Sequence, residues 1–136
     1  MGRRQRLKAR FVDGRQENAV QYMLLIVEPR GQRAQRTEEE GRAVYQRMLD
    51  YADTLKARGV LRDGQSLRRD DDAARVTVRN GRRSVVDGPF TEAKEIVGGY
   101  FLVDCDSREE ALELAAALPA AEWATVEVRE LGPCFM

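Results

Sequence analysis

Apolar and polar positions follow two periods along this chain, and each change of period marks an element. Met23, Leu24, Leu25, Ile26 and Val27 form an unbroken apolar run within Tyr22 to Glu28. Such a run predicts a strand buried on both faces, and Pro29 ends it. After a polar loop from Pro29 to Arg36 the spacing becomes helical, with Val44, Met48, Ala52 and Leu55 on one face. Thr37-x-x-Glu40 is a capping box that opens this helix, with Glu38 and Glu39 at its positive end. Lys56 and Arg58 suit the last turn, and Gly59 suits the C′ position. Val60 to Leu67 reads as a strand broken by Asp63-Gly64, and Arg68 to Asp72 as a charged turn. Ala74 to Arg79 alternates, which predicts Val76 and Val78 pointing inward. Asn80-Gly81 is a type I′ hairpin signal that returns the chain as Arg83 to Asp87. Gly99 to Asp104 is a second strand apolar on both faces. Ser107-x-x-Glu110 is another capping box, and its helix buries Ala111, Leu114, Ala115 and Leu118 ahead of Pro119. Ala124 to Leu131 alternates as the final strand.

This order is a β-α-β-β-α-β plan with an extra strand or bulge in the middle: an α+β domain with an antiparallel sheet and two helices on one face. Two of the strands are apolar on both sides. The face away from the helices is then an apolar patch too large for a soluble monomer, and a second copy of the sheet is its simplest cover. The expectation is a homodimer. The alternative is that the N-terminal segment and the loop after Asp87 cover the patch within one chain.

Composition narrows the picture. At 136 residues the chain fits one domain on a size prior of about 100–200 residues. No apolar run approaches the roughly 18 residues of a membrane span, and the basic N-terminus has no secretory core, so the reading is cytoplasmic with no membrane contact. Residues 1–20 hold six basic residues against two acidic ones, a net of +4 that leaves −4 for the rest of a neutral chain. They show no sustained period and read as a disordered basic tail, with residues 21–131 as the folded domain and 132–136 as a C-terminal tail. An acidic body argues against direct nucleic-acid binding by the folded domain. There is no histidine, which excludes Ser-His-Asp and Cys-His catalysis and His-ligated metal sites. Cys105 and Cys134 make no metal motif and read as free thiols. Phosphate-binding glycine motifs are absent, and no cofactor is implied.

One stretch concentrates unusual residues: Asp87-Gly88-Pro89-Phe90-Thr91-Glu92-Ala93-Lys94-Glu95, then Gly98-Gly99-Tyr100. Gly88 tolerates positive φ and Pro89 fixes its own φ, so the pair forces a sharp exit from the strand. Phe90 is expected to fold inward, and Thr91 to Glu95 to form one polar helical turn. Gly98-Gly99 leaves room for something to approach the backbone closely. Asp87 reads either as a rigidly held general acid or base, or as a hydrogen-bond acceptor that holds the turn. Glu92 and Lys94 read as binding groups or as a solvated turn, and Tyr100 as a pocket hydroxyl or as packing. In the loop after the first strand Arg30, Arg33 and Arg36 can meet an anionic ligand or be solvated, with Leu61, Gly64 and Leu67 as an apolar wall nearby.

The same stretch, together with Tyr22-Met23-Leu24-Leu25-Ile26, Gly59-Val60-Leu61 and Val126-Glu127-Val128-Arg129, resembles the DGPF branch of the YCII-related proteins. The resemblance covers residues 21–131. It implies a ferredoxin-like domain that dimerises into an α/β barrel. It implies little about activity, although some members are assigned a His-Asp pair whose histidine this chain lacks. Two functions follow from it. One is a small-ligand-binding or regulatory accessory module, linked through the family to extracytoplasmic-function sigma factors. The other is a small lyase or isomerase, dehydrochlorinase-like or muconolactone-isomerase-like, with Asp87 as acid or base. The resemblance places the candidate pocket or motif at Asp87, Gly88, Pro89, Phe90, Glu92, Lys94, Gly98, Gly99 and Tyr100.

Overall fold

The computed structural model describes residues 11–12, 15–16 and 19–135. Most of the segment read as a disordered tail therefore lies outside the described residues; within it β1 (Phe11–Val12) and β2 (Arg15–Gln16) pair antiparallel. The body is built from β3 (Val20–Pro29), α1 (Glu38–Ala57), β4 (Leu61–Ser66), β7 (Glu95–Cys105), α2 (Arg108–Ala117) and β8 (Thr125–Glu130). Inserted between β4 and β7 is a separate hairpin, β5 (Ala74–Arg79) and β6 (Arg82–Asp87). The four body strands are antiparallel in the order β4-β7-β3-β8. That order, with both helices packed on one core, is the ferredoxin-like α+β arrangement.

Local chemistry explains the elements. The Thr37 hydroxyl accepts from Glu40 N–H and the Glu40 carboxylate accepts from Thr37 N–H, closing both halves of the capping box. At the other end Gly59 has φ +75° and donates to Lys56 O, while Val60 N–H donates to Leu55 O. Those two bonds satisfy the last carbonyls of the helix, and the left-handed position explains the glycine. The second capping box forms only in half. Ser107 accepts from Glu110 N–H, but the Glu110 carboxylate accepts from Asp106 N–H instead of returning to Ser107. Asn80 and Gly81 both take positive φ, the type I′ geometry the sequence called for.

The core gathers Tyr22, Leu24, Phe101, Val103 and Cys105 from one sheet face against Leu55 of α1 and Ala111, Leu114 and Leu118 at α2. Burial raises the Cys105 thiol to about 12, so it is an inert packing group. On the opposite sheet face Met23 lies across from Leu102, Leu25 from Tyr100 and Val27 from Val97. No helix among the described residues covers that side. Among the described residues no helix is long and apolar enough to cross a membrane.

Three expectations are corrected. Val76 and Val78 are about 60% exposed, because the β5–β6 hairpin stands apart from the main sheet and none of the described residues covers its valine face. Thr91 to Lys94 is a turn with no helix, and Glu95 already belongs to β7. Gly88 is not among the positive-φ residues; its peptide bond to Pro89 is cis. The need for glycine there is steric: a Cβ would overlap the Asp70 carbonyl oxygen and lie 3.3 Å from Ala73 O.

Candidate functional site

A cavity of about 420 Å³ opens between α1 and the sheet, within the range of small-molecule pockets. Helix α1 supplies Val44, Tyr45, Met48, Leu49 and Ala52 as one wall. These side chains are only half covered on a face whose helical spacing marks it for burial, and the cavity lies beneath them. Ile26, Gly99 and Phe101 form the sheet side, Gly64 to Ser66 one edge, and Ala120 with Trp123 the far end.

The polar end is built from the strand terminus and the loop after it. Glu28, 6% exposed, sits where the apolar run of β3 stops. Arg33 donates to both of its oxygens, Nε to Oε2 at 2.9 Å and Nη2 to Oε1 at 2.6 Å, and also donates through Nη1 to Leu67 O at 2.8 Å. A carboxylate this buried is tolerable because its charge is paired and its lone pairs are occupied. Gly98 makes the geometry fit. It is the extra residue of a bulge between Ile26/Val27 and β7, and a Cβ on it would fall into the Glu28 carboxylate, 2.7 Å from Cδ and 2.8 Å from Arg33 Nη2. What approaches the glycine pair is thus the Glu28–Arg33 ion pair. On Gly99 a Cβ would lie 2.8 Å from Gln65 O.

Arg36 completes this end. Its guanidinium lies 5.6 Å from the centroid of the Trp123 ring and lines the cavity, and it has no carboxylate partner among the described residues. Arg47 lies against the same ring at 5.4 Å but is bound to Glu122 at 2.8 Å and stays outside the cavity lining.

Of the sequence candidates, Gly98 and Gly99 line this cavity along with Arg33, Arg36 and Gly64. The others lie elsewhere. Phe90 is buried beside a second, more open hollow of about 700 Å³ that also holds Arg30 and Leu67. Arg30 grips Asp70 through both nitrogens, Nη1 to Oδ1 at 2.9 Å, and Asp70 also accepts from Phe90 N–H at 3.0 Å. The Arg30 guanidinium holds the Asp70 carboxyl down at about 2. Arg75 covers the Phe90 ring at 3.8 Å and pairs with Glu92 at 2.7 Å. Lys94 is exposed and contributes its carbonyl to Arg30 N–H. Tyr100 lies on the sheet face away from the helices, where its hydroxyl donates to Asp63 at 2.6 Å, a bond that raises its pKa. Asp87 and Pro89 are exposed, and neither Asp87 nor Tyr100 lines either cavity. Sequence reasoning missed Glu28, Tyr45 and Trp123. Only Glu28 carried a signal, a charge closing an apolar strand opposite a glycine pair.

Among the described residues no group of three or more Cys, Asp and Glu is arranged to hold a metal ion. Fold and site together define a small α+β domain with an apolar pocket under its first helix. The YCII-related domain model matches residues 20–134, and the chain belongs to that family. It is also similar to an uncharacterized protein of Rhizobium meliloti (strain 1021), 45% identical over 63 residues, which is 43% of this chain and 51% of that one. The match thus spans about half the length of that relative.

Proposed function

We propose that this chain is a small-molecule-binding accessory module whose ligand occupies the cavity between α1 and the sheet. The observation that carries the reading is the cavity itself: an apolar wall and an aromatic end meeting a fixed ion pair and a guanidinium with no carboxylate partner among the described residues. A domain with no binding role would be more stable with that volume filled. The motif Asp87 to Phe90 supports placement in the DGPF branch, and through that branch a regulatory role beside extracytoplasmic-function sigma factors in the cytoplasm. The alternative, a lyase or isomerase with Asp87 as acid or base, has less behind it, because Asp87 is exposed and outside the cavity lining.

The chain's one tryptophan, Trp123, sits in the cavity and reports on it. Titration with small apolar compounds should shift its emission and raise the melting temperature. Ala52→Phe, which fills the cavity from α1, should abolish both responses. A full response in the filled variant would refute the site.

We also propose that the domain works as a homodimer with the two sheets face to face in an α/β barrel. Met23, Leu25 and Leu102, only partly buried on the sheet face away from the helices, support this, since a second copy would finish burying them. Light scattering should give about twice 15.4 kDa, and Leu25→Asp should give 15.4 kDa. A wild-type monomer at micromolar concentration would remove the proposal.

A further inference from the structure

The charges at the cavity do not cancel. Its lining holds three ionised side chains, Glu28, Arg33 and Arg36, and the first two are consumed by each other. Arg33 has further committed Nη1 to Leu67 O and Nη2 to Gly98 O. What remains is a single positive charge on Arg36, next to an indole face and an aliphatic wall. Of the nearest acids in sequence, two are engaged elsewhere, and Glu39 is exposed outside the cavity lining. Glu38 pairs with Arg42 at 2.6 Å, and Glu40 closes the capping box of α1. Gly41, in the first turn of α1, also lines the cavity.

From this arrangement we infer that the ligand is an amphipathic anion: one negatively charged group received by Arg36, and an apolar body lying between Trp123, Tyr45 and Met48. This rests on the pocket reading above and adds its charge. A guanidinium beside an apolar wall gains a charge-assisted, two-pronged bond to a carboxylate, sulfonate or phosphate without needing the ligand to reach past Glu28. A cation is disfavoured for the same reason, since the one carboxylate in the lining has its charge already met by Arg33. Volume sets the body's size. A space of about 420 Å³ equals about 14 water volumes at about 30 Å³ each, enough for a medium aliphatic chain or a substituted ring and too small for a dinucleotide.

The test uses matched probes on the full chain, read by calorimetry and by Trp123 emission: 3-phenylpropionate, octanoate and octane-1-sulfonate against neutral 3-phenylpropanamide. The anions should bind at least about tenfold more tightly than the amide, the scale of one charge-assisted hydrogen bond, and the advantage should shrink as salt rises. In Arg36→Gln the advantage should fall to within about twofold, with melting temperature unchanged. Arg47→Gln, which alters the other guanidinium at Trp123, should keep it. Equal affinity of amide and acid for the wild type would overturn the charge assignment and leave the pocket standing. So would a preference that survives Arg36→Gln. Silence from every probe at millimolar concentration would overturn the pocket as well. A preference for sulfonate over both carboxylates would support the inference and narrow the anion.

Discussion

The body and the β5–β6 arm of this domain are held in opposite ways. In the body, apolar burial does the work, and its two buried carboxylates among the described residues are each paired, Glu28 with Arg33 at the cavity and Asp104 with Arg62 away from its lining. In the arm every residue from Ala74 to Asp87 is exposed. Among the described residues the arm is tied down at its base, where Gly88 N–H donates to Ala73 O and Asp70 receives both Arg30 and Phe90 N–H, and by Arg75, which covers Phe90 and pairs with Glu92. The most distinctive sequence, Asp87 to Phe90, belongs to that base. The cavity, by contrast, is assembled from residues scattered between Ile26 and Trp123, with no motif of its own. Prominence in a sequence here marks a demanding backbone, while the ligand space comes from folding.

The largest effect should come from Gly98→Ala. Its methyl would collide with the Glu28 carboxylate and force the ion pair with Arg33 apart inside the fold. Opening a buried pair costs about 3–5 kcal/mol, a large share of a small domain's stability. Urea denaturation should show that loss, and a wild-type midpoint would mean the pair can shift freely.

Gly88→Ala should come next, at about 2 kcal/mol from overpacking against the Asp70 and Ala73 carbonyls. Its effect should stay in the arm. Hydrogen exchange should quicken from Ala74 to Asp87, while probe binding at Trp123 changes by less than about twofold. Loss of probe binding would show that arm and cavity are one cooperative unit.

Much of this division was legible before the fold was known. The Thr37–Glu40 box, the Asn80-Gly81 turn and Gly59 each state their local geometry, because the bonds involved lie within a few residues. Alternation in Ala74 to Arg79 identified a strand with two faces. It does not say whether a second layer covers either one, and in the fold Val76 and Val78 face solvent. Gly98-Gly99 announced a close approach without naming Glu28, which is about seventy residues away. Trp123 gave no sign at all, since a lone aromatic after a helix packs equally well into a core.

Asp70 separates the two regions by pH. Arg30 lowers its folded pKa from 3.8 to about 2. A depressed carboxylate contributes stability above its unfolded pKa and loses it as pH falls through the folded value, so the window runs from about pH 4 down to about pH 2. Arm exchange should quicken across that window in wild type and stay flat in Asp70→Asn. An identical acid response in both would place the titrating group elsewhere.

The smallest effect should be Asp87→Asn, and it is the most informative about function. Asp87 closes β6 opposite Ala74, exposed, and belongs to the arm's base and not to the cavity. Asparagine keeps its shape and its capacity to accept a hydrogen bond while removing the charge. A surface change of this kind alters stability by about 0.5 kcal/mol or less. The affinity of 3-phenylpropionate, read at Trp123, should be unchanged, because the charge that holds it is on Arg36. A lyase or isomerase that used Asp87 as acid or base would behave otherwise: the variant would fold, bind and lose turnover. A substrate found by screening whose conversion falls a hundredfold in Asp87→Asn, with binding intact, would move the chemistry from the cavity to the arm's base.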